Sequence, residues 1–153
     1  MFSRVHVLNG PNLNMLGTRE PELYGHQTLA ELETLCHRAA TRHGLELVFK
    51  QTNAESQLVD WLVQARFDAG IVINPAAFCY HSVALLDAIK MCECPVIEVH
   101  ITNLHRREAE WRAHSILTAV VTGMMMGLGI NAYPLAVDHI AHLRLRSMTA
   151  ASK

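Results

Sequence analysis

Residues 28–51 read TLAELETLCHRAATRHGLELVFKQ, a helix and a strand separated by one glycine. Thr28 and Glu31 form a capping box, and Leu29, Leu32, Leu35, Cys36 and Ala39 recur with helical period until Gly44 ends the segment after His43. Leu45 to Gln51 then has the apolar content and length of a strand.

The same alternation continues on both sides. Val5 to Leu8 is a short apolar run that predicts a first strand, and Gly70 to Asn74 predicts a third, fully apolar one. Ser56 is expected to cap a helix through Ala65, and Ser82 to open another. Pro95 to Ile101 predicts a fourth strand and Val120 to Leu128 a glycine-containing fifth. Between them Asn103 to His114 is expected to be a charged loop running into a short helix, and Asn131 to about Ser147 a closing helix. Strands alternating with helices in a 153-residue chain predict an α/β fold. The expected form is a flavodoxin-like open, doubly wound, five-stranded parallel sheet with helices on both faces. Residues 1–148 are expected to form one domain, and Thr149 to Lys153 a mobile tail.

Half of the residues are apolar, the formal net charge is -1, and the sequence pI is near 6.8. That balance argues against nucleic acid or an anionic membrane as the main partner, so an anionic small molecule has to be held locally. No apolar run reaches membrane-spanning length, and Met1 to Gly10 lacks the pattern of a secretory signal, which points to the cytoplasm. Cys36, Cys79, Cys92 and Cys94 lie among helical and strand-like residues, as expected of reduced thiols. Cys92 and Cys94 are too close in sequence for a common zinc pair and no second pair follows, so no metal is expected.

In an open parallel sheet ligands bind beyond the carboxyl ends of the strands. There the sequence places Asn9, Gly10, Pro11, Asn12 and Asn14, then Thr52 and Asn53, then Asn74, then His100 and Thr102. Glu98 and His100 share one side of a strand, where a carboxylate can orient an imidazole and support it as a general acid. Arg19 and Tyr24 lie in the loop between Gly17 and Gly25, a candidate lid. A guanidinium beside a phenol favours the phenolate, so Tyr24 can serve as a base. Arg107 and Arg112 follow the fourth strand, where a planar fork can hold hydroxyls or a carboxylate, and the backbone amides of Ile101 and Thr102 can add an anion cradle.

The blocks Asn9-Gly-Pro-Asn-Leu-Asn14, Leu16-Gly-Thr-Arg-Glu-Pro21, Tyr24-Gly25, Asn74-Pro75, Ser82-Val-Ala-Leu85 and Glu98-Val-His100 resemble type II 3-dehydroquinate dehydratases. The likeness continues through Thr102-Asn103, His105, His114-Ser115 and Gly127-Leu-Gly129, nearly end to end. It implies a cofactor-free lyase of the shikimate or quinate pathway, serving chorismate and aromatic amino acid biosynthesis in the former case. Such an enzyme eliminates water from 3-dehydroquinate through an enolate. It further implies Tyr24 as base beside Arg19, Asn12 holding the water that steadies the enolate, and His100 with Glu98 as acid. Asn74, Arg107, Arg112, Ile101 and Thr102 would bind the substrate, and Asp87 would reach a neighbouring site in a dodecamer built of trimers.

The chain departs from the family pattern at Tyr80-His81-Ser82, where a substrate-binding His is usual in a His-Thr-Ser run. Tyr80 stands at that position and His81 is the neighbour a bulged loop could bring inward. A second reading is therefore a divergent member acting on a related ring acid. A non-catalytic flavodoxin-like nucleotide-binding module is a third, disfavoured because the chain has no Gly-rich phosphate loop with Lys and Ser or Thr. The segment from His105 to His114 is one residue longer than the family pattern, which leaves Arg106 as a rival to Arg107 and Arg112.

Overall fold

The computed structural model describes residues 3–151. Its strands are β1 (Arg4–Asn9), β2 (Glu46–Gln51), β3 (Gly70–Asn74), β4 (Val96–His100) and β5 (Gly123–Met126). All pair in parallel, in the order β2-β1-β3-β4-β5. This is the doubly wound order expected of a flavodoxin-like sheet, and it puts a topological switch point between β1 and β3.

Five α-helices accompany the sheet: α1 (Pro21–Tyr24), α2 (Leu29–Arg42), α3 (Glu55–Ala65), α4 (Val83–Lys90) and α5 (Ala132–Ala151). The period-two alternation of the strands splits the core into two layers. Val5, Val7, Val72, Ile97 and Val99 meet Leu32, Cys36, Val137 and Ile140 of α2 and α5. Leu8, Ile71, Ile73 and Val96 meet Leu58, Leu62, Leu85 and Ile89 of α3 and α4. Leu32, Leu58, Leu62 and Leu85 are fully buried, so cutting any of them to Ala should cost about 2–5 kcal/mol.

The capping box forms as the sequence predicts. Glu31 N–H donates to Thr28 Oγ1 at 3.2 Å and Thr28 N–H to Glu31 Oε2 at 2.7 Å. Ser82 likewise accepts from Leu85 N–H at 3.0 Å and starts α4. Ser56 does not cap its helix. α3 begins two residues earlier than that cap implies, at Glu55, behind Ala54, whose N–H is taken by Thr52 Oγ1. β5 is shorter than expected, because Val120 and Val121 turn off a 3-10 segment, Ile116–Ala119, and pack on the α3–α4 layer. Pairing begins only where Thr122 bonds Val96 through backbone and hydroxyl. The charged stretch after β4 forms 3-10 turns, Leu104–Arg106 and Glu110–Arg112, in place of a short helix. α5 continues to Ala151, through part of the expected tail, while Ser152 and Lys153 lie outside the described residues.

All four cysteines are free thiols. Among the described residues no helix is long and apolar enough to cross a membrane.

Candidate active site

The loops after β1, β3 and β4 meet at the carboxyl edge of the sheet and enclose an open cleft of about 700 Å³, its solvent-filled mouth included. Gly10 N–H donates to Asn74 O at 2.8 Å, bringing the first two loops into contact. A Cβ at Gly10 would lie 2.6 Å from Pro75 O, so only glycine permits this approach. Asn12 follows in the left-handed region with φ of 68°, its N–H bonded to Asn53 Oδ1 at 2.9 Å.

Beneath the cleft Tyr133 is wholly buried. Its hydroxyl donates to Asn9 Oδ1 at 2.9 Å and accepts from Asn74 Nδ2 at 2.8 Å, while Asn74 Oδ1 accepts from Ala76 N–H. Burial pushes the Tyr133 phenol far above its ordinary pKa, so it stays a neutral link. Tyr133 is absent from the sequence expectations, which name only the closing helix that carries it. The available signal was its type, since a buried Tyr hydroxyl needs a partner.

On β4, Glu98 and His100 point toward the α3–α4 layer. His100 Nε2 lies 2.7 Å from Glu98 Oε1, with Glu98 fully buried and His100 nearly so. Glu98 Oε2 is buried without a hydrogen-bond partner. Only His100 of the pair lines the cleft, so the carboxylate stands behind the ring and cannot itself touch a ligand there.

Tyr24 ends the one-turn helix α1 and faces the cleft from the opposite loop. Arg19 lies with its guanidinium carbon 6.0 Å from the Tyr24 ring centroid, while its Nε is 3.6 Å from Glu20. The direct partner of the phenol is Arg107. Its Nη2 donates to Tyr24 Oη at 3.2 Å and to Thr102 Oγ1 at 2.8 Å, tying the loop that carries α1 to the end of β4.

Tyr80 forms a further wall of the cleft. Its ring meets Trp111 edge to face at 5.3 Å, and the Arg112 guanidinium carbon lies 5.8 Å from both ring centroids. Burial raises the Tyr80 phenol's pKa, outweighing the nearby Arg112 and Arg107. Arg107 Nε and Arg112 Nε are buried without partners. Trp111, two-thirds exposed, was absent from the sequence expectations because it sits amid charged residues that read as a solvated face.

Of the residues singled out in the sequence, Asn12, Arg19, Tyr24, Asn74, Tyr80, His100, Ile101, Thr102, Arg107 and Arg112 share this one lining. His81 does not join them. It is exposed, its ring set edge-on to Phe78, because the 3-10 segment Ala76–Tyr80 ends by turning Tyr80 inward and His81 outward. Arg106 is exposed and outside the lining, which leaves Arg107 and Arg112 as the cleft arginines of that segment. Asp87 is exposed on α4, 4.0 Å from Lys90, and does not reach the cleft of its own chain. Among the described residues the lining thus contains three guanidinium groups and no carboxylate, an arrangement for a small anion.

Comparison with known proteins agrees with this geometry. The family model described as Dehydroquinase class II matches residues 3–141. A 3-dehydroquinate dehydratase from Methylobacterium radiotolerans is 52% identical over 145 residues, covering 94% of this chain and 97% of the relative. Another from an Acidovorax species is 52% identical over 147 residues, covering 92% and 99%. Among solved structures, a type II dehydroquinase from Propionibacterium acnes superposes with a TM-score of 0.87 at 41% identity, over 93% of this chain and 98% of that one. With one sheet order, one cleft and end-to-end similarity in agreement, this chain belongs to the class II dehydroquinases.

Proposed function

We propose that this protein is a 3-dehydroquinate dehydratase, a hydro-lyase that converts 3-dehydroquinate to 3-dehydroshikimate by trans elimination in the shikimate or quinate pathway. One observation carries the reading. A phenol bonded by the Arg107 guanidinium and an imidazole backed by a buried carboxylate line the same cleft from opposite sides, with three arginines and no acid among the described wall residues.

The chemistry follows from those positions. Tyr24, as phenolate, takes the carbon-2 proton. Arg107 at its oxygen and Arg19 beside its ring put positive charge where the phenol becomes negative. The electron pair left on carbon 2 delocalises into the carbon-3 carbonyl as an enolate, steadied by a water that Asn12 helps to hold. Collapse of the enolate expels the carbon-1 hydroxyl, and His100 delivers the proton that turns it into water. Glu98 bonds Nε2, which leaves Nδ1 for the substrate and stabilises the imidazolium before transfer. Asn74, Thr102, the backbone at Ile101, Arg107 and Arg112 take the ring hydroxyls and carboxylate. The reaction as written is balanced without a cofactor.

Tyr80 supports a second reading, a related ring acid as substrate, because an aromatic wall meets the ring where the family usually presents an imidazole. Asp87, exposed and remote from its own cleft, fits a role in a neighbouring subunit's site within a dodecamer of trimers acting in the cytoplasm. The test is ultraviolet detection of the conjugated enone when purified protein meets 3-dehydroquinate. Turnover is expected, and its absence from well-folded protein sinks the reading. Light scattering tests the assembly, with about twelve times the chain mass of 17.1 kDa expected.

A further inference from the structure

Cys79 has no part in the elimination, yet its thiol lies behind the acid. Cys79 Sγ, a carboxylate oxygen of Glu98 and a ring nitrogen of His100 all lie within 4.8 Å of one another, and all three residues are buried. We propose that these three side chains form a site for a thiophilic divalent cation, zinc above all, whose occupation switches the enzyme off.

The donor set suits the ion. Zinc takes thiolate, imidazole and carboxylate ligands at about 2.0–2.3 Å, which sets neighbouring donor atoms roughly 3–4 Å apart. Small side-chain shifts achieve this, with the 2.7 Å contact between His100 Nε2 and Glu98 opening slightly. A thiolate, a carboxylate and a neutral imidazole around a divalent ion sum to zero charge, which lowers the cost of burying it. A second observation also points to a cation here. Glu98 Oε2 is an acceptor with no exposed surface and no partner, so it has an empty place in its bonding that a cation would fill.

Burial and the Glu98 charge push the Cys79 thiol up to about 12, so it is protonated and chemically quiet until a metal competes for the sulfur. On binding, the thiol proton leaves to solvent, the sulfur lone pair goes to the metal, and the imidazole proton moves from Nε2 to Nδ1. The Arg107 charge, felt at the same thiol, works against the cation and limits affinity. With Nε2 on the metal, His100 can no longer carry a second proton. Its Nδ1–H could leave only by making an imidazolate, so the proton donor is lost. Of the three residues His100 faces the cleft, so the ion would enter past it.

Loss of activity by this route rests on His100 acting as proposed above, whereas metal binding does not. Zinc titrated into the whole enzyme should inhibit it, with recovery on adding a chelator. Cys79→Ser should keep turnover within about threefold and need at least tenfold more zinc for the same inhibition. Asn substitution of both His105 and His114, whose rings lie 5.5 Å apart outside the cleft, should leave the inhibition unchanged. Cadmium should give a thiolate charge-transfer absorption in the parent protein and none in Cys79→Ser. Zinc X-ray absorption on the parent protein should find one sulfur among nitrogen and oxygen neighbours, and this needs no variant to fold. A shell without sulfur, or equal zinc sensitivity of Cys79→Ser and parent, overturns the site. Bound zinc with its sulfur but undiminished turnover keeps the site and overturns the switch.

Discussion

The two sides of the cleft are built in opposite ways. The side proposed to supply the acid is a pair of residues on the interior strand β4, with Glu98 fully buried and His100 nearly so, fixed by one 2.7 Å bond. The side proposed to supply the base is a tyrosine at the end of a single helical turn in a loop whose Arg19 is half exposed, its hydroxyl bonded by Arg107. The imidazole must hold a defined tautomer against a buried carboxylate, which demands a rigid frame. In the proposed reaction the phenol meets a substrate that has to enter and leave, a task suited to a loop. The buried frame thus lies where the proposed protonation state matters, and the more exposed loop where access does.

The largest effect that could break this contrast comes from His100→Ala. Turnover should fall by about 100-fold or more, and stability should drop as well, by about 3–5 kcal/mol in urea unfolding, because a buried carboxylate loses its partner. Tyr24→Phe should cost about as much turnover and leave unfolding within about 0.5 kcal/mol, since the loop adds little to the core. Equal stability losses in the two variants would show that the sides are not built differently. Arg107→Lys keeps the charge but loses the fork that spans Tyr24 and Thr102, and kcat/KM should fall roughly 10- to 100-fold.

Tyr80→His sharpens the comparison with a smaller effect, a fall in KM for 3-dehydroquinate of about tenfold. An unchanged KM would mean that the phenol already makes the contact. The smallest effect lies far from the cleft. Burial lowers the pKa of His6 despite its 2.7 Å bond to Asp68, so its charged form is disfavoured in the folded state. The unfolded chain then binds the proton more readily. Stability contributed by neutral His6 is present above pH 6.5 and declines as pH falls below it. Denaturation midpoints at pH 7.5 and 5.5 should differ less in His6→Gln than in the parent.

The sheet was legible because its interior strands are mostly apolar runs and two of its helices have a local start signal, Thr28 with Glu31 and Ser82. Errors collected where tertiary contacts overrode local pattern. Val120 and Val121 have strand composition, but the α3–α4 layer claims them. The candidate site was legible at β4, since period two alone puts Glu98 beside His100. Across loops it was only partly so. Sequence named Arg19 as the partner of Tyr24, whereas the phenolic oxygen is met by Arg107, 83 positions away. Tyr133 and Trp111 escaped for the same reason, because their neighbours come from distant segments.

The hydroxyl of Tyr133 bears on how the protein comes into being. Asn9 and Asn74 leave the ribosome before Tyr133, and the loops they anchor can form as soon as their strands pair, but the phenol that joins them belongs to α5. A nascent chain halted before residue 133 would therefore carry most of the reactive groups over an unfastened floor. Competence should therefore wait until α5 is free to dock.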